Sequence, residues 1–227
     1  MANELVLPNG LKLGVGTSTI TPISFTPTGS VLNTSAVAGS MEVDSNGHPY
    51  YTQQASSRQI IECEQFITLT SPYTTPTGTN NTLKQLFNSV ANGRLTVSGN
   101  TTYFFECYFT LSSMSNSSGT FSFGLAGTAT YSSVSYFSQG LKGAITNTTP
   151  IMSNQNVATA AIVGSNTGNT TTTGYAFIKG KIIISTGGTI IPSFALSVAA
   201  AAIVGTNAYF RLIPVGTNTV TNVGNWS

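Results

Sequence analysis

Apolar and polar positions alternate with a period of two in short runs over most of the chain, and the clearest run is Tyr103 to Leu111. There Tyr103, Phe105, Cys107, Phe109 and Leu111 fall on one side, while Phe104, Glu106, Tyr108 and Thr110 fall on the other. This is the period of a strand, so the segment is predicted to put one face in a core and leave the other half wet. Similar runs occur at Leu95–Ser98, Thr120–Leu125, Tyr131–Ser138, Val157–Val163, Tyr175–Ser185, Thr189–Val198 and Ala208–Val215. They bring the total to eight, and Ile60–Thr70 is a candidate ninth at the leading edge. β-Branched and aromatic residues fill the runs, Gly, Asn, Ser and Pro bound them, and sustained helical spacing is missing. The expected fold is all-β, an eight-stranded jelly roll or β-sandwich over residues 59–227, and parallel α/β architectures are excluded.

Punctuation refines this picture. Gly187-Gly188, between Thr186 and Thr189, reads as a hairpin turn that would make its two flanking strands neighbours. Pro192 has no N–H for a ladder, which places it at a sheet edge or a bulge. One short helix of one or two turns is expected over Asn80–Phe87, capped by Asn and with Leu83, Leu86 and Phe87 on one face. Residues 1–58 are broken by Gly14, Gly16, Pro22, Pro27 and Gly29 and read as an extended N-terminal arm that anchors on its own domain or on a neighbour. Within the arm, Met41–Tyr51 reads as a hairpin with Asn46-Gly47 at its turn. No repeat of fixed period appears, which disfavours a β-helix.

Composition changes the picture of the surface. Charged residues make up 6% of the 227, against about a quarter in an ordinary soluble domain, so Ser, Thr and Asn must do the wetting. The formal net charge is +2, too small and too scattered for a stripe that holds phosphates, so nucleic acid is not an expected partner. The longest apolar stretch, Phe194–Val204, is far short of the roughly 20 residues that span a bilayer, and no membrane partner is expected. The opening residues lack a cationic start and apolar core of the secretory kind, so synthesis in a cytoplasm is expected.

Candidate chemistry is sparse. Asp44 and His48 could form half of a Ser-His-Asp triad, but they flank a tight turn and no G-x-S-x-G elbow occurs. Glu62 and Glu64 share a strand face, and Glu106 joins them if Ile60–Thr70 pairs with Tyr103–Leu111. Three such carboxylates could bind calcium or, in a cleft, serve as a glycosidase pair; the plainer alternative is a polar face that meets Lys or Arg. Cys63 and Cys107 lie on apolar-rich strands and are expected to be reduced packing groups. No Cys-x-x-Cys or Cys/His quartet supplies a zinc site, and neither Gly14-Val15-Gly16 nor Gly124–Gly127 has the Lys-Ser/Thr ending of a phosphate loop. The one Trp, Trp226, is expected to dock on the domain or a neighbouring subunit. The expectation is a non-enzymatic protein with no catalytic residue, metal or cofactor.

The segments GLKLGVGTSTITPISF, AGSMEVDSNGHPYYT, TYFFECYFTLSS, FGLAGTAT, GYAFIKGKIIISTGGTIIPSFAL and GTNAYFRLIPVGTN together resemble modules of virion proteins from tailed bacteriophages. The resemblance spans nearly the whole chain and implies a trimeric jelly-roll head, used either as a capsid cement or decoration protein or as the tip of a tail fibre. It transfers no catalytic residue. In the first role a homotrimer lies on the outer capsid surface of the virion, after synthesis in the host bacterial cytoplasm. Residues 1–58 would then staple the major capsid protein, and Ala199–Ala202 would allow close approach near a symmetry axis or else form a tight loop before the last strand. In the second role, Tyr131, Tyr136 and Tyr209 are exposed and recognise a host glycan. The absence of coiled-coil heptads or long repeats for a shaft favours the first.

Overall fold

A computed structural model describes residues 37–43, 47–54, 57–61, 64–77, 80–87, 93–114, 119–142, 151–155, 161–166 and 173–217. For residues 54, 57–60, 142, 151–155, 161–166 and 217 it describes the backbone alone. Among these residues the regular structure is all strand. The strands are β1 (Met41–Val43), β2 (Pro49–Gln54), β3 (Ser57–Ile60), β4 (Gln65–Thr68), β5 (Tyr73–Thr74), β6 (Lys84–Gln85), β7 (Leu95–Val97) and β8 (Thr101–Ser112). They continue with β9 (Gly119–Gly127), β10 (Thr130–Lys142), β11 (Ile151–Gln155), β12 (Ala161–Asn166), β13 (Gly174–Thr186), β14 (Gly188–Leu196), β15 (Ile203–Val204) and β16 (Tyr209–Thr217).

The pairing is antiparallel throughout and makes three sheets. The smallest is β1-β2-β3. The largest runs β11-β10-β13-β8; beyond β8 it divides, one branch continuing through β15 to β5 and the other through β16 to β4. The third runs β12-β9-β14, with β6 and β7 side by side on the far edge of β14.

The two larger sheets face each other across one core, as in a β-sandwich. Inner residues of β8 (Phe105, Phe109) meet those of β9 (Phe121, Phe123), β14 (Ile190, Phe194) and β16 (Phe210), all at most 2% exposed. Phe105 is the hub. Its ring stacks on Phe123 at 6.2 Å and on Phe210 at 5.8 Å, and meets Tyr136 edge-on at 6.1 Å. Each such pair adds about 0.5–1.5 kcal/mol to the burial of the rings themselves.

All eight predicted runs fall on strands, namely β7, β8, β9, β10, β12, β13, β14 and β16, although 157–160 lie outside the described residues. On β8 the alternation is as read: Tyr103, Phe105, Cys107, Phe109 and Leu111 are buried, whereas Phe104 is 50% exposed. The hairpin in the arm is present as β1 and β2, with Val43 opposite Pro49 and Gly47 at φ +83°, so its loop is longer than two residues. β3 pairs with β2 and spans the expected boundary between residues 58 and 59.

Four local expectations are corrected. Gly187-Gly188 is not a hairpin: β13 lies in the largest sheet and β14 in the third, so the chain crosses the sandwich there. Neither glycine has positive φ; a Cβ on Gly187 would stand 2.9 Å from Gly99 N and Val97 O, so close backbone approach, and not turn geometry, requires glycine. Asn80–Phe87 is not helical. Asn81 sits at φ 59°, the Asn80 carboxamide accepts from Ala199 N at 2.8 Å, and Lys84–Gln85 pair with Phe194 and Ser193, so a ladder outbids the local helix. Ile60–Thr70 is two elements, β3 and β4, in different sheets. Pro192 is interior to a sheet, paired with Leu125, at the break where the neighbour of β14 changes from β7 to β6; its carbonyl accepts from Leu86 N at 3.0 Å.

Candidate interaction face

Strand alternation turns Phe104, Glu106 and Tyr108 away from the core, and the registers of the neighbouring strands align other chemistry with them. One row crosses five strands: Phe66 on β4, Arg211 on β16, Glu106 on β8, Lys179 on β13 and Phe137 on β10. The next row holds Tyr209, Tyr108 and Phe177, and the row on the other side holds Ile213, Phe104 and Lys181. Phe66 is 54% exposed, Phe104 50% and Phe137 41%. Large apolar side chains at such exposure, gathered on one sheet face, mark a binding surface more often than chance decoration.

The polar groups on this face are organised by Glu106, Arg211 and Tyr209. The Tyr209 hydroxyl donates to Glu106 Oε1 at 2.6 Å. Its ring is stacked between Phe66 at 5.7 Å and Tyr108 at 6.2 Å. Desolvation, then the Glu106 carboxylate that accepts its proton, push the Tyr209 hydroxyl up to about 12, with Arg211 opposing. Arg211 Nε stands 2.9 Å from Glu64 Oε1, an ion pair whose N–H is not aligned as a hydrogen bond. Tyr108 is also raised above the ordinary phenol value, chiefly by burial.

The expected trio Glu62, Glu64 and Glu106 does not form on adjacent strands, because β4 pairs with β16 and β16 lies between β4 and β8. Arg211 occupies the intervening position, so the carboxylate Glu64 meets a cation as the plainer reading had it, and Glu62 lies outside the described residues. Among the described residues no three His, Cys, Asp or Glu groups cluster as metal ligands would. His48 is buried at 5% exposure; Asp44, Cys63, Gly14–Gly16 and Trp226 lie outside the described residues. Cys107 is a buried free thiol, and desolvation holds it well above its usual pKa. Ala202 is buried and its carbonyl accepts from both Thr75 N and Oγ1, and Ala199 is exposed, in a loop before β15.

The three tyrosines expected to be exposed are not alike. Tyr136 is 3% exposed and its ring faces Phe105 and Phe123 in the core, which corrects that expectation. Tyr131 is partly buried against the core, because a bulge between Tyr131 and Ser133 changes the parity of β10 there. Burial pushes both hydroxyls up to about 12, and neither finds a hydrogen-bond partner among the described residues. Tyr209 alone belongs to the outer face. Sequence reasoning missed Phe66, Phe137, Lys179, Lys181 and Arg211 as members of one surface; the usable signal was that β8 carries aromatics on both parities, which a strand with one fully solvated face would not.

No family model matches the chain, and no curated protein is significantly similar to it. No helix among the described residues is long and apolar enough to cross a membrane.

Proposed function

We propose that this chain is a non-enzymatic structural protein of a tailed-bacteriophage virion, a homotrimeric jelly roll that binds the outer capsid surface as a cement or decoration protein. The observation that carries the reading is the alternation of the long strands between sheets. β8, β10, β13 and β16 lie in the largest sheet, β9, β12 and β14 in the third, and the chain changes sheet at each of these steps except for the added strands β11 and β15. Such crossing favours a jelly roll over a stack of hairpins. The small sheet supports an anchoring role for residues 1–58. Met41 and Tyr51, directly opposite each other on β1 and β2, are 48% and 41% exposed, and nearby Val37 is 65% exposed, an apolar patch suited to a protein surface.

The alternative, a tail-fibre tip that recognises a host glycan, loses its named residues in part, since Tyr136 is in the core and the Tyr209 hydroxyl is held by Glu106. The test is co-sedimentation of the purified protein with mature capsids of the phage that encodes it, beside adsorption to host cells. Saturable capsid binding that is lost in Met41→Ser/Tyr51→Ser is expected. Cell adsorption without capsid binding would move the protein to the tail.

A further inference from the structure

We propose that the outer face of the largest sheet is the contact between copies of this chain, and that the contact is displaced along the strand row so that the β13 lysines of one copy meet the carboxylates beside β4 and β8 of the next. The inference rests on the self-assembly in the reading above and names the surface responsible.

Three observations select a second copy as the occupant. The first is charge. Of eight Lys and Arg and six Asp and Glu in the whole chain, three cations and two carboxylates stand on this face. A surface otherwise wetted by hydroxyls has gathered both signs in one place, and a partner of single sign, such as nucleic acid or an anionic lipid surface, would oppose half of them. The second is size. Phe66 and Phe137 end one row four strands apart, about 19 Å at about 4.8 Å per strand, and the strands of the row, from four residues in β4 to 13 in β10 and β13, run about 30 Å on average, so the face spans roughly 600 Å². With side-chain relief that approaches the about 800 Å² each partner gives to a standard protein interface, and it exceeds what a sugar residue stacked on one ring would cover. The third is shape of burial: Phe104, half exposed, lies near the middle with Phe66 and Phe137 on either side, the arrangement of a central apolar anchor within a larger patch.

The order along the row sets the register of the contact. It reads Phe66, Arg211, Glu106, Lys179, Phe137, with a carboxylate at its centre. A two-fold through Glu106 would set carboxylate against carboxylate and Arg211 against Lys179. A contact displaced along the row instead brings Lys179 and Lys181 of one copy to Glu64 and Glu106 of the next while the phenylalanines fill the space between. A two-fold that runs parallel to the strands between β8 and β13 gives such a displacement, with Glu106 of each copy set against Lys179 of the other, so the row fixes the register of the contact and not the number of copies.

The experiment is light scattering on the full chain at micromolar concentration, with Lys179→Glu/Lys181→Glu and, separately, Phe104→Ser. All three residues are exposed, so near-UV circular dichroism should stay that of the wild type. The wild type is expected above the mass of a single chain and each variant at the mass of one. A wild-type oligomer whose mass neither variant changes overturns the assignment of this face and leaves self-assembly standing. A monomeric wild type overturns both, and saturable quenching of its tyrosine fluorescence by host polysaccharide would make the face a glycan platform instead.

Discussion

The sandwich has two outer faces that differ in everything but their backbone. On the largest sheet, the outward positions of β8, β13 and β16 carry Phe104, Glu106, Tyr108, Phe177, Lys179, Lys181, Tyr209 and Arg211. On the third sheet, the outward positions of β9 and β14 are Thr120, Ser122, Gly124, Ala126, Thr189, Ile191, Ser193 and Ala195, all uncharged and, Ile191 apart, small. Ser193 and Ala195 are 1% exposed, so part of that face is already covered, whereas the aromatic face keeps three half-exposed phenylalanines. The overall scarcity of charge therefore describes an average over two unlike surfaces. One is covered in part by the chain itself; the other retains rings and paired charges suited to a partner.

The sharpest way to break this comparison is to cut adjacent rings on opposite sides of β8. Phe105→Ala removes the hub of the core and should cost about 3–5 kcal/mol in denaturant unfolding. Phe104→Ala, one residue away and facing outward, should change the stability of an isolated chain by under about 1 kcal/mol. Comparable losses from both would mean that the outer face is structural and not reserved for a partner.

Alkaline titration should separate the sheets next. Tyr131, Tyr136 and Tyr209 all belong to the largest sheet and are pushed up to about 12, against about 10 in the unfolded chain. Below pH 10 the phenols are neutral in both states and their contribution is fully present. Between pH 10 and 12 the unfolded chain releases protons that the folded chain still holds, so stability falls with rising pH. Absorbance at 295 nm should show tyrosines ionising late, together with a drop in melting temperature over that window; ionisation of every tyrosine near pH 10 would refute it.

The smallest expected difference lies in single polar groups. Tyr209→Phe deletes the donor to Glu106 and should lower stability by about 1 kcal/mol. Ser122→Ala, on the small-residue face, removes a weak 3.5 Å contact to Ala195 O and should stay within about 0.5 kcal/mol. Chemical denaturation of both variants at one pH makes the comparison.

Legibility followed the range of the interaction. Alternation in Tyr103–Leu111 was enough to assign its buried and exposed sides, because a two-residue period is a property of the strand backbone itself. The same parity, applied to Val134, Tyr136 and Ser138, would have placed Tyr136 with the core, since all three are buried. It would not have found Tyr131, whose side is set by a bulge, nor the hydrogen bonding of Lys84–Gln85 to β14 over a local helical pattern.

The sequence alone thus determined the all-β character, the positions of the long strands and which side of β8 is buried, all consequences of local periodicity. Only the tertiary structure decided who neighbours whom: that Gly187-Gly188 crosses between sheets, that Arg211 lies between Glu64 and Glu106, and that rings from β4, β8 and β10 share one face. Each of these joins residues distant in the chain, and such pairings are chosen by the joint packing of two sheets around Phe105 and its neighbours, which no short window of residues contains.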